Sequence, residues 1–193
     1  MKTAELKSFL EIPYDELEEM NLKAGQRAEK AGAKELEQEY TAWLKKEKHI
    51  KAVTLCFSDI EGRLHMLDYD KKFLVKSWDN LTFDGSSIRG FTAQRESDLR
   101  LSMDWSAFYW GPADYFGDGK VLVFGEVIDK DGSPYPADIR GVLKSFANEQ
   151  FEKNNYTLNA ANEIEGFLFK GTDAERRYNE TGKFEYVNTG GYY

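Results

Sequence analysis

The sequence predicts an α+β fold, because helical and strand-like periodicities occupy successive parts of the chain. Residues 1–48 are rich in charge, and their apolar side chains recur at helical spacing. From His49 onward, short β-branched and aromatic runs alternate with turn residues, which is typical of strands. After Asp131 a helical pattern and a further strand-like run follow, and this order indicates the start of an α/β layer.

The first predicted domain, residues 1–48, is a helical extension. Between Lys34 and Lys48 the apolar side chains share one helical face, which consists of Leu36, Tyr40, Trp43 and Leu44. Pro13 and Gly32 interrupt the stretches before it. We expect a helical cap that packs on the following domain, and a contact surface for a neighbouring subunit is the alternative.

The second predicted domain, residues 49–130, holds a small mixed sheet. Residues 50–57 and 63–69 flank a group of turn residues and predict a hairpin. Residues 73–78 and 120–129 predict two further strands. The residue pattern alone supports no finer description of this domain than α+β.

The composition argues against nucleic acid as a partner. The net charge is -8 and the isoelectric point is about 5.0, whereas a phosphate-binding groove needs clustered Lys and Arg. Aromatic side chains crowd residues 104–119. Without basic neighbours, we expect an aromatic loop there that packs at a domain or subunit surface rather than on bases or sugars.

A reducing cytoplasm is the expected compartment. The single cysteine, Cys56, cannot form an internal disulfide and lies in an apolar run, which favours a buried structural thiol. No apolar run approaches the roughly 20 residues of a membrane span, and the N-terminus has acids where a signal peptide is apolar. His49 and His65 lack the spacing of a zinc site and are expected to be structural or solvated.

The third predicted domain, residues 131–193, begins with an Asp131-Gly132 turn. Asp138 is the predicted N-cap of a helix whose apolar positions recur at helical spacing. A strand over residues 156–169 is predicted to follow. The residues after that strand are too few to close a barrel or cover an open sheet, so we expect an incomplete domain and an inactive isolated chain.

Two short segments carry the candidate chemistry. In an extended strand, Glu163 and Glu165 point to the same side, roughly 6.5 to 7 Å apart, and this spacing suits neighbouring divalent cations. An exposed strand face is the alternative for these acids. Asp84 is followed by a glycine and two serines, a turn that suits a small cation or a polar substrate. An ordinary turn is the alternative there.

These segments closely resemble glutamine synthetase of the bacterial class. The resemblance rests on four stretches that occur in order: Phe83-Asp84-Gly85-Ser86-Ser87-Ile88-Arg89-Gly90-Phe91, Glu96-Ser97-Asp98, Tyr135-Pro136-Ala137-Asp138-Ile139-Arg140, and residues 163–169. The first stretch is similar to the family's ammonium-site loop, and the last to its Glu-Pro-Glu-Phe-Phe-Leu-Phe strand. This chain has Ile164 where the family usually has proline and Gly166 where it usually has phenylalanine, changes that affect local packing and retain both acids.

The resemblance implies a fold, an activity and an assembly. Residues 49–130 would form a β-grasp-like domain, and residues 131–193 the first part of an α/β catalytic domain. The implied activity is ATP-dependent ligation of ammonia to L-glutamate through γ-glutamyl phosphate, with Mg²⁺ or Mn²⁺ as cofactor and ATP as co-substrate. The implied assembly is a homo-oligomer with active sites between subunits.

The resemblance also implies a role for each candidate site residue. Glu163 and Glu165 would each serve a different metal ion of a pair. Asp84 would attract ammonium and accept its proton, with Ser87 hydrogen-bonding nearby, and both would reach into the active site of an adjacent subunit. Asp98 would lie near the same intersubunit site.

Two other functions stay open at the level of sequence. A ligase of the same superfamily would join glutamate to another amine, although an ammonium-binding carboxylate would obstruct a bulky amine. An assay of ammonia against polyamines separates these activities. A non-catalytic interaction or regulatory module of the same fold is the second alternative, because the family's nucleotide site and remaining metal ligands would lie beyond Tyr193. The length of the natural open reading frame tests it.

Overall fold

The computed structural model describes residues 10–163 and 165–187, and the chain divides into two compact units. The first unit ends at Tyr156 and contains a mixed sheet with helices packed on it, and the second begins at Thr157. This arrangement of separate helical and strand segments confirms the predicted α+β class. No helix in the described ranges combines the length and the apolar character that a membrane span requires.

Two helices form the N-terminal part of the first unit: α1, Tyr14–Ala28, and α2, Ala33–Lys46. Pro13 directly precedes α1, where its missing N–H leaves no hydrogen bond unmade, and Gly32 directly precedes α2. The Arg27 guanidinium at the end of α1 contacts the carboxylate of Glu39 in α2 at 3.0 Å. The predicted helical extension is therefore confirmed for its described residues.

Five strands form one sheet, with the bounds Ala52–Ser58 (β1), Leu64–Asp70 (β2), Leu81–Asp84 (β3), Asp98–Trp110 (β4) and Lys120–Ile128 (β5). Their order is β2-β1-β5-β4-β3. β1 runs parallel to β5, and the remaining pairs are antiparallel. The predicted hairpin, β1 and β2, and the predicted strand at β5 are confirmed.

The sheet is strongly curled, which brings its two edges together. The Tyr69 hydroxyl in β2 donates to the Thr82 carbonyl in β3 at 3.1 Å, although β2 and β3 lie at opposite ends of the strand order. Aromatic side chains lie on its concave side. The ring centroids of Phe57 in β1 and Phe83 in β3 are 5.0 Å apart. A cleft between the two edges follows from this curvature.

One predicted strand is a helix in the structure. Residues 73–78 were expected to be extended, but α3 covers Lys71–Ser77. The Asp70 carboxylate caps this helix by accepting the N–H groups of Lys72 and Phe73 at 2.9 and 3.1 Å. A short apolar run is compatible with either structure, and the cap at Asp70 favours the helix.

The aromatic segment was expected to be a loop, and this prediction is wrong for most of its length. Residues 104–110 belong to β4, and α4, Ala113–Phe116, follows. The strand carries aromatic rings into the core: Phe108 stacks on Tyr40 of α2 at 4.2 Å, and Trp110 meets Trp43 of α2 edge-on at 5.6 Å. These rings hold the helical extension against the sheet.

Helix α5, Ile139–Asn154, begins where the sequence predicts, because Asp138 caps it. Its buried carboxylate accepts the N–H groups of Arg140 at 3.2 Å and Gly141 at 3.1 Å, and also that of Val127 in β5 at 3.0 Å. One side chain therefore starts the helix and ties it to the sheet. Burial raises the pKa of Asp138.

The strand predicted over residues 156–169 is wrong for the described residues of that range. The backbone is irregular there, apart from an isolated bridge between Phe169 and Tyr186, and Ile164 lies outside the described residues. A strand needs a neighbour for its N–H and C=O groups, and no described strand pairs with residues 157–163. The second unit instead contains α6, Ala174–Thr181.

The Asn21 side chain supplies a testable link between α1 and the sheet. Its amide donates to the Trp110 carbonyl at 2.9 Å and accepts the Trp110 N–H at 3.0 Å, so it imitates a neighbouring strand at the end of β4. We expect Asn21→Ala to lower the free energy of unfolding by about 1–3 kcal/mol, because two backbone groups lose their partner. Urea denaturation measures this. Asn154→Ala, at an exposed position in α5, is the control and should change the unfolding midpoint little.

Candidate functional site

The strongest candidate site is the Asp84 loop, residues 84–91, which follows β3. The Asp84 Oδ1 atom accepts the Ser86 N–H at 2.9 Å and the Ser86 hydroxyl at 2.6 Å. The Ser87 hydroxyl donates to Oδ2 at 2.9 Å. The Ser86 and Ser87 hydroxyls, together with the backbone N–H groups, lower the pKa of Asp84. The loop therefore presents a fixed and anionic carboxylate at the surface.

Gly85 is required for this geometry. Its N–H donates to the Ser97 carbonyl at 2.7 Å, which fixes the loop to the start of β4. A Cβ atom at this position would lie 2.7 Å from Leu99 Cδ1 and 3.0 Å from Thr92 Oγ1. The loop thus lies so close to β4 that a larger residue would displace Asp84.

The register of β3 and β4 brings Asp98 next to Asp84. The two residues are direct partners in the antiparallel ladder, and both are exposed. Side chains at opposed positions have Cβ atoms about 4.5–5.5 Å apart, so the two aspartates occupy neighbouring positions on the sheet. Two adjacent anions favour a cation between or above them. The structure therefore brings together Asp84, Ser87 and Asp98, and their roles stay predictions.

A cleft of about 320 Å³ adjoins this carboxylate. It lies between the two curled edges of the sheet, and its walls are mainly apolar, with Asp84, Ser87 and His65 as polar members: Phe57, His65, Met66, Leu67, Phe83, Asp84, Ser87 and Ile88. The arrangement combines an anion with aromatic and aliphatic surface, a combination that suits a small cation and, next to it, an apolar group.

The predicted metal ligands are not assembled into a metal site within the described residues. Glu163 and Glu165 lie in the second unit, are exposed, and occupy irregular backbone. Carboxylate oxygens are the right donors for a hard cation, but Mg²⁺ requires about six ligands. Residues 10–163 and 165–187 contain no cluster of three or more His, Cys, Asp or Glu side chains that could hold a metal ion. Two carboxylates alone do not fit the implied metal pair.

Sequence reasoning missed a hydrogen-bonded aspartate–histidine pair beside the candidate site. The Asp59 carboxylate lies 2.8 Å from Nε2 of His65 and also accepts the N–H groups of Glu61 and Arg63, at 2.9 and 3.0 Å. The His65 hydrogen bond, followed by these backbone donors, lowers the pKa of Asp59. An aspartate at the start of a turn was the available signal, but only the curled sheet brings His65 into the wall of the cleft.

Family comparison identifies the part of the chain that carries the sheet. Residues 49–130 match the family described as glutamine synthetase, beta-Grasp domain. The glutamine synthetase of Methanosarcina mazei is 37% identical over 153 residues, which cover 77% of this chain and 32% of that protein. The glutamine synthetase of Clostridium saccharobutylicum is 40% identical over 139 residues, which cover 69% of this chain and 30% of that protein. The chain thus spans less than a third of the length of these relatives.

Solved structures support the fold. A cryoEM structure of Plasmodium falciparum glutamine synthetase matches with a TM-score of 0.54 and 21% identity, over 60% of this chain and 22% of that chain. A structure of GmaS without ligand matches with a TM-score of 0.51 and 15% identity, over 72% of this chain and 36% of that chain. Identities this low bear on the fold alone. Together with the family match, they confirm the expected β-grasp domain.

The depressed pKa of Asp59 gives a pH-dependent prediction. A carboxylate whose pKa lies below its ordinary value of 3.8 stabilises the folded state above that value, and this stabilisation is lost as the pH falls through the folded pKa. We expect Asp59→Asn to destabilise the chain near neutral pH and to differ less from the parent at about pH 2.5. Urea denaturation at both pH values measures this. Exposed Asp118→Asn is the control and should behave as the parent; an equal loss at both pH values for Asp59→Asn would contradict the ionic role.

Proposed function

The chain belongs to the glutamine synthetase family, and we propose that it forms the N-terminal part of a ligase that joins ammonia to L-glutamate at the expense of ATP. The observation that carries this proposal is the Asp84 loop, where a fixed carboxylate stands beside a second one at Asp98. An activated γ-glutamyl phosphate is the acceptor in the proposed reaction, and ammonia displaces its phosphate.

Asp84 is proposed to bind and deprotonate ammonium. Ammonium has no lone pair until it loses a proton, so it must be deprotonated before or during its attack on the γ-carbonyl carbon. The anionic state of Asp84, supported by its lowered pKa, attracts the cation. One proton passes to the Asp84 carboxylate, the new C–N bond forms, the C–O bond to phosphate breaks, and a second proton from the nitrogen leaves with the phosphate as hydrogen phosphate. Asp98 adds negative charge on the neighbouring strand.

Ser87 is proposed to orient the Asp84 carboxylate. Its hydroxyl holds Oδ2 while the Ser86 groups hold Oδ1, so rotation of the carboxylate is restricted. An oriented acceptor lowers the entropy that must be lost when ammonium binds. The exposure of Asp84 supports the proposal that the loop reaches an active site formed with an adjacent subunit of a homo-oligomer.

The remaining components of the reaction are proposed from the family. ATP is proposed as the co-substrate, and Mg²⁺ or Mn²⁺, when bound, would supply positive charge that neutralises the transferring phosphoryl group. Glu163 and Glu165 are proposed as this chain's contribution to the metal ligands, with further ligands supplied by other parts of the enzyme. The domain division at residues 48 and 130 and a cytoplasmic location are proposed with them. We expect the isolated chain to be inactive.

A specific observation favours a second candidate function. The cleft beside Asp84 has a volume of about 320 Å³, which is far more than one ammonium ion requires, and its walls are mostly apolar. A ligase that joins glutamate to a small organic amine would use such a cleft for the alkyl group. Assays of the enzyme containing this chain with ammonia, methylamine and polyamines separate the two candidates. Exclusive use of an organic amine would overturn the leading one.

In the enzyme that contains this chain, Asp84→Asn tests the ammonium site. The amide is neutral and cannot accept the proton, so we expect kcat/KM for ammonium to fall by about 100-fold or more. The KM for ATP should change little, because Asp84 acts only in the amine-dependent step. Asp131→Asn is a matched control: Asp131 Oδ1 also accepts a serine N–H and hydroxyl, those of Ser133 at 2.9 and 2.7 Å, in an unrelated turn. A loss of ATP affinity with unchanged ammonium kinetics would refute the assigned role.

The metal proposal predicts a separate effect for the two glutamates. In the same enzyme, Glu163→Gln and Glu165→Gln should each raise the Mg²⁺ or Mn²⁺ concentration for half-maximal activity by about tenfold or more, since an amide oxygen is a weaker ligand than a carboxylate. Circular dichroism should show an intact fold. Glu152→Gln, at an exposed position in α5, is the control. If the metal titrations of both variants coincide with that of the parent, Glu163 and Glu165 are exposed surface residues and not metal ligands.

A further inference from the structure

The Asp59–His65 pair takes no part in the proposed reaction, yet it contacts both ends of the Asp84 loop through its neighbours. We infer that Asp59 and His65 are positioning residues: they fix the β1–β2 turn and the ring of Phe57, and these in turn hold the Asp84 loop in place. The inference rests on the proposed function in one respect, namely that the Asp84 loop has a catalytic role. The contacts themselves are independent of it.

Three hydrogen bonds and burial restrain the Asp59 side chain. The Asp59 side chain is buried, and all three of its donors lie on the β1–β2 hairpin: the N–H groups of Glu61 and Arg63, and Nε2 of His65. An ionised carboxylate only accepts hydrogen bonds, so Nε2 carries the proton of the imidazole. This fixes both the ring orientation of His65 and the shape of the turn from residue 59 to residue 63.

The first route to the Asp84 loop passes through stacked rings. The His65 imidazole stacks on Phe57, with centroids 5.3 Å apart and planes inclined by 22°. Phe57 is fully buried and lies 5.0 Å from the Phe83 ring. Phe83 directly precedes Asp84. The His65 ring, which Asp59 orients, therefore reaches the backbone next to Asp84 through two ring contacts, first with Phe57 and then from Phe57 to Phe83.

The second route reaches the other end of the loop through the turn. Ile60 follows Asp59 and packs directly on Gly90, where a Cβ atom would lie only 2.2 Å from Ile60 Cδ1. Gly90 also has a φ of +84°, a conformation that other residues adopt only with strain. The Glu61 carboxylate contacts the Arg89 guanidinium at 3.0 Å. The turn therefore contacts residues 89 and 90, which lie five and six residues after Asp84, mainly through the packing of Ile60 on Gly90.

His65 can also influence the loop through its charge. It shares the wall of the cleft with Asp84 and Ser87, and the other residues of that wall carry no charge. The ionisable groups that face it are Asp59 on its own hairpin and Asp84 across the cleft. Protonation of the imidazole therefore changes both the hydrogen-bonded pair and the electrostatic potential at Asp84.

The experiment is a pH titration of this 193-residue chain by ¹H–¹⁵N NMR, from about pH 5 to pH 8, where histidine changes its charge. We expect the amide signals of Ser86, Ser87 and Gly90 to shift with the same midpoint as the His65 ring protons. The titration of His49 should leave those amides unaffected. If the His65 ring titrates while the three amide signals stay still, the inference is overturned.

Variants separate positioning from general stability. His65→Gln keeps an N–H donor for Asp59 but loses the ring that stacks on Phe57. The amide signal of Gly90, which the turn contacts, should therefore stay near its parental position, and those of Ser86 and Ser87 should move less than in His65→Ala and lose their pH dependence. His65→Ala should displace the amide signals of residues 84–91. His49→Ala is the matched control, because His49 forms a similar pair with Glu47, its Nδ1 lying 3.0 Å from Oε1. Equal displacement in His65→Gln and His65→Ala would contradict a role for the hydrogen bond.

The outcome does not depend on the proposed ligase activity. All measurements use the chain without substrate, so a failure of the ammonium proposal leaves the coupling between His65 and the loop measurable. Conversely, the positioning role is refuted, and the proposed ligase function stands, if the enzyme is active but the loop amide signals do not respond to the protonation of His65. If His65→Ala does not fold, the titration of the parent chain and of His65→Gln still decides.

Discussion

The parallel pairing of β1 with β5 is the constraint on which the rest of the first unit depends. Parallel neighbours cannot be joined by a short turn, so the chain must make a long crossover between residues 58 and 120. β2, α3, β3 and β4 are all built within that crossover. The β1–β2 turn and the Asp84 loop both belong to it, which is why elements distant in sequence meet around a single cleft.

The sequence predicted those elements whose apolar pattern is continuous or strictly periodic. β1 is buried along most of its length and is mainly apolar, with Thr54 in its middle, whereas β5 has three consecutive buried residues after Lys120 and then alternates between half-buried and buried positions. β4 was missed because its alternation changes phase between Met103 and Phe108, where the ladder register shifts. The consecutive burial of Ala107 and Phe108 marks this shift. Because the alternation of buried and exposed residues changes phase there, the sequence pattern of β4 does not look like that of a regular strand. Tertiary pairing supplied the information that local periodicity lacked.

The candidate site was predictable from sequence only in part. The Asp-Gly-Ser-Ser turn is a local feature, and its hydrogen bonds follow from residues two and three positions apart. The proximity of Asp98 to Asp84 depends on the β3–β4 register, so the motif resemblance implied it and the residue pattern did not. Glu163 and Glu165 depend on neighbours that the described strands do not provide, and the shared strand face expected for them is absent from the described backbone.

The Asp84 loop has several anchors and stands next to a second aspartate in the β3–β4 ladder. Like charges placed directly opposite on neighbouring strands destabilise the pairing, and both of these carboxylates are exposed. The loop is held by contacts that do not involve charge: Gly85 packs on Leu99, Gly90 packs on Ile60, and the Tyr135 hydroxyl donates to the Phe91 carbonyl at 2.7 Å. A cation bound at Asp84 would remove the repulsion and leave the anchors in place. An anionic Asp84 held by its own loop, with Asp98 opposite it in the ladder, therefore favours the binding of a cation.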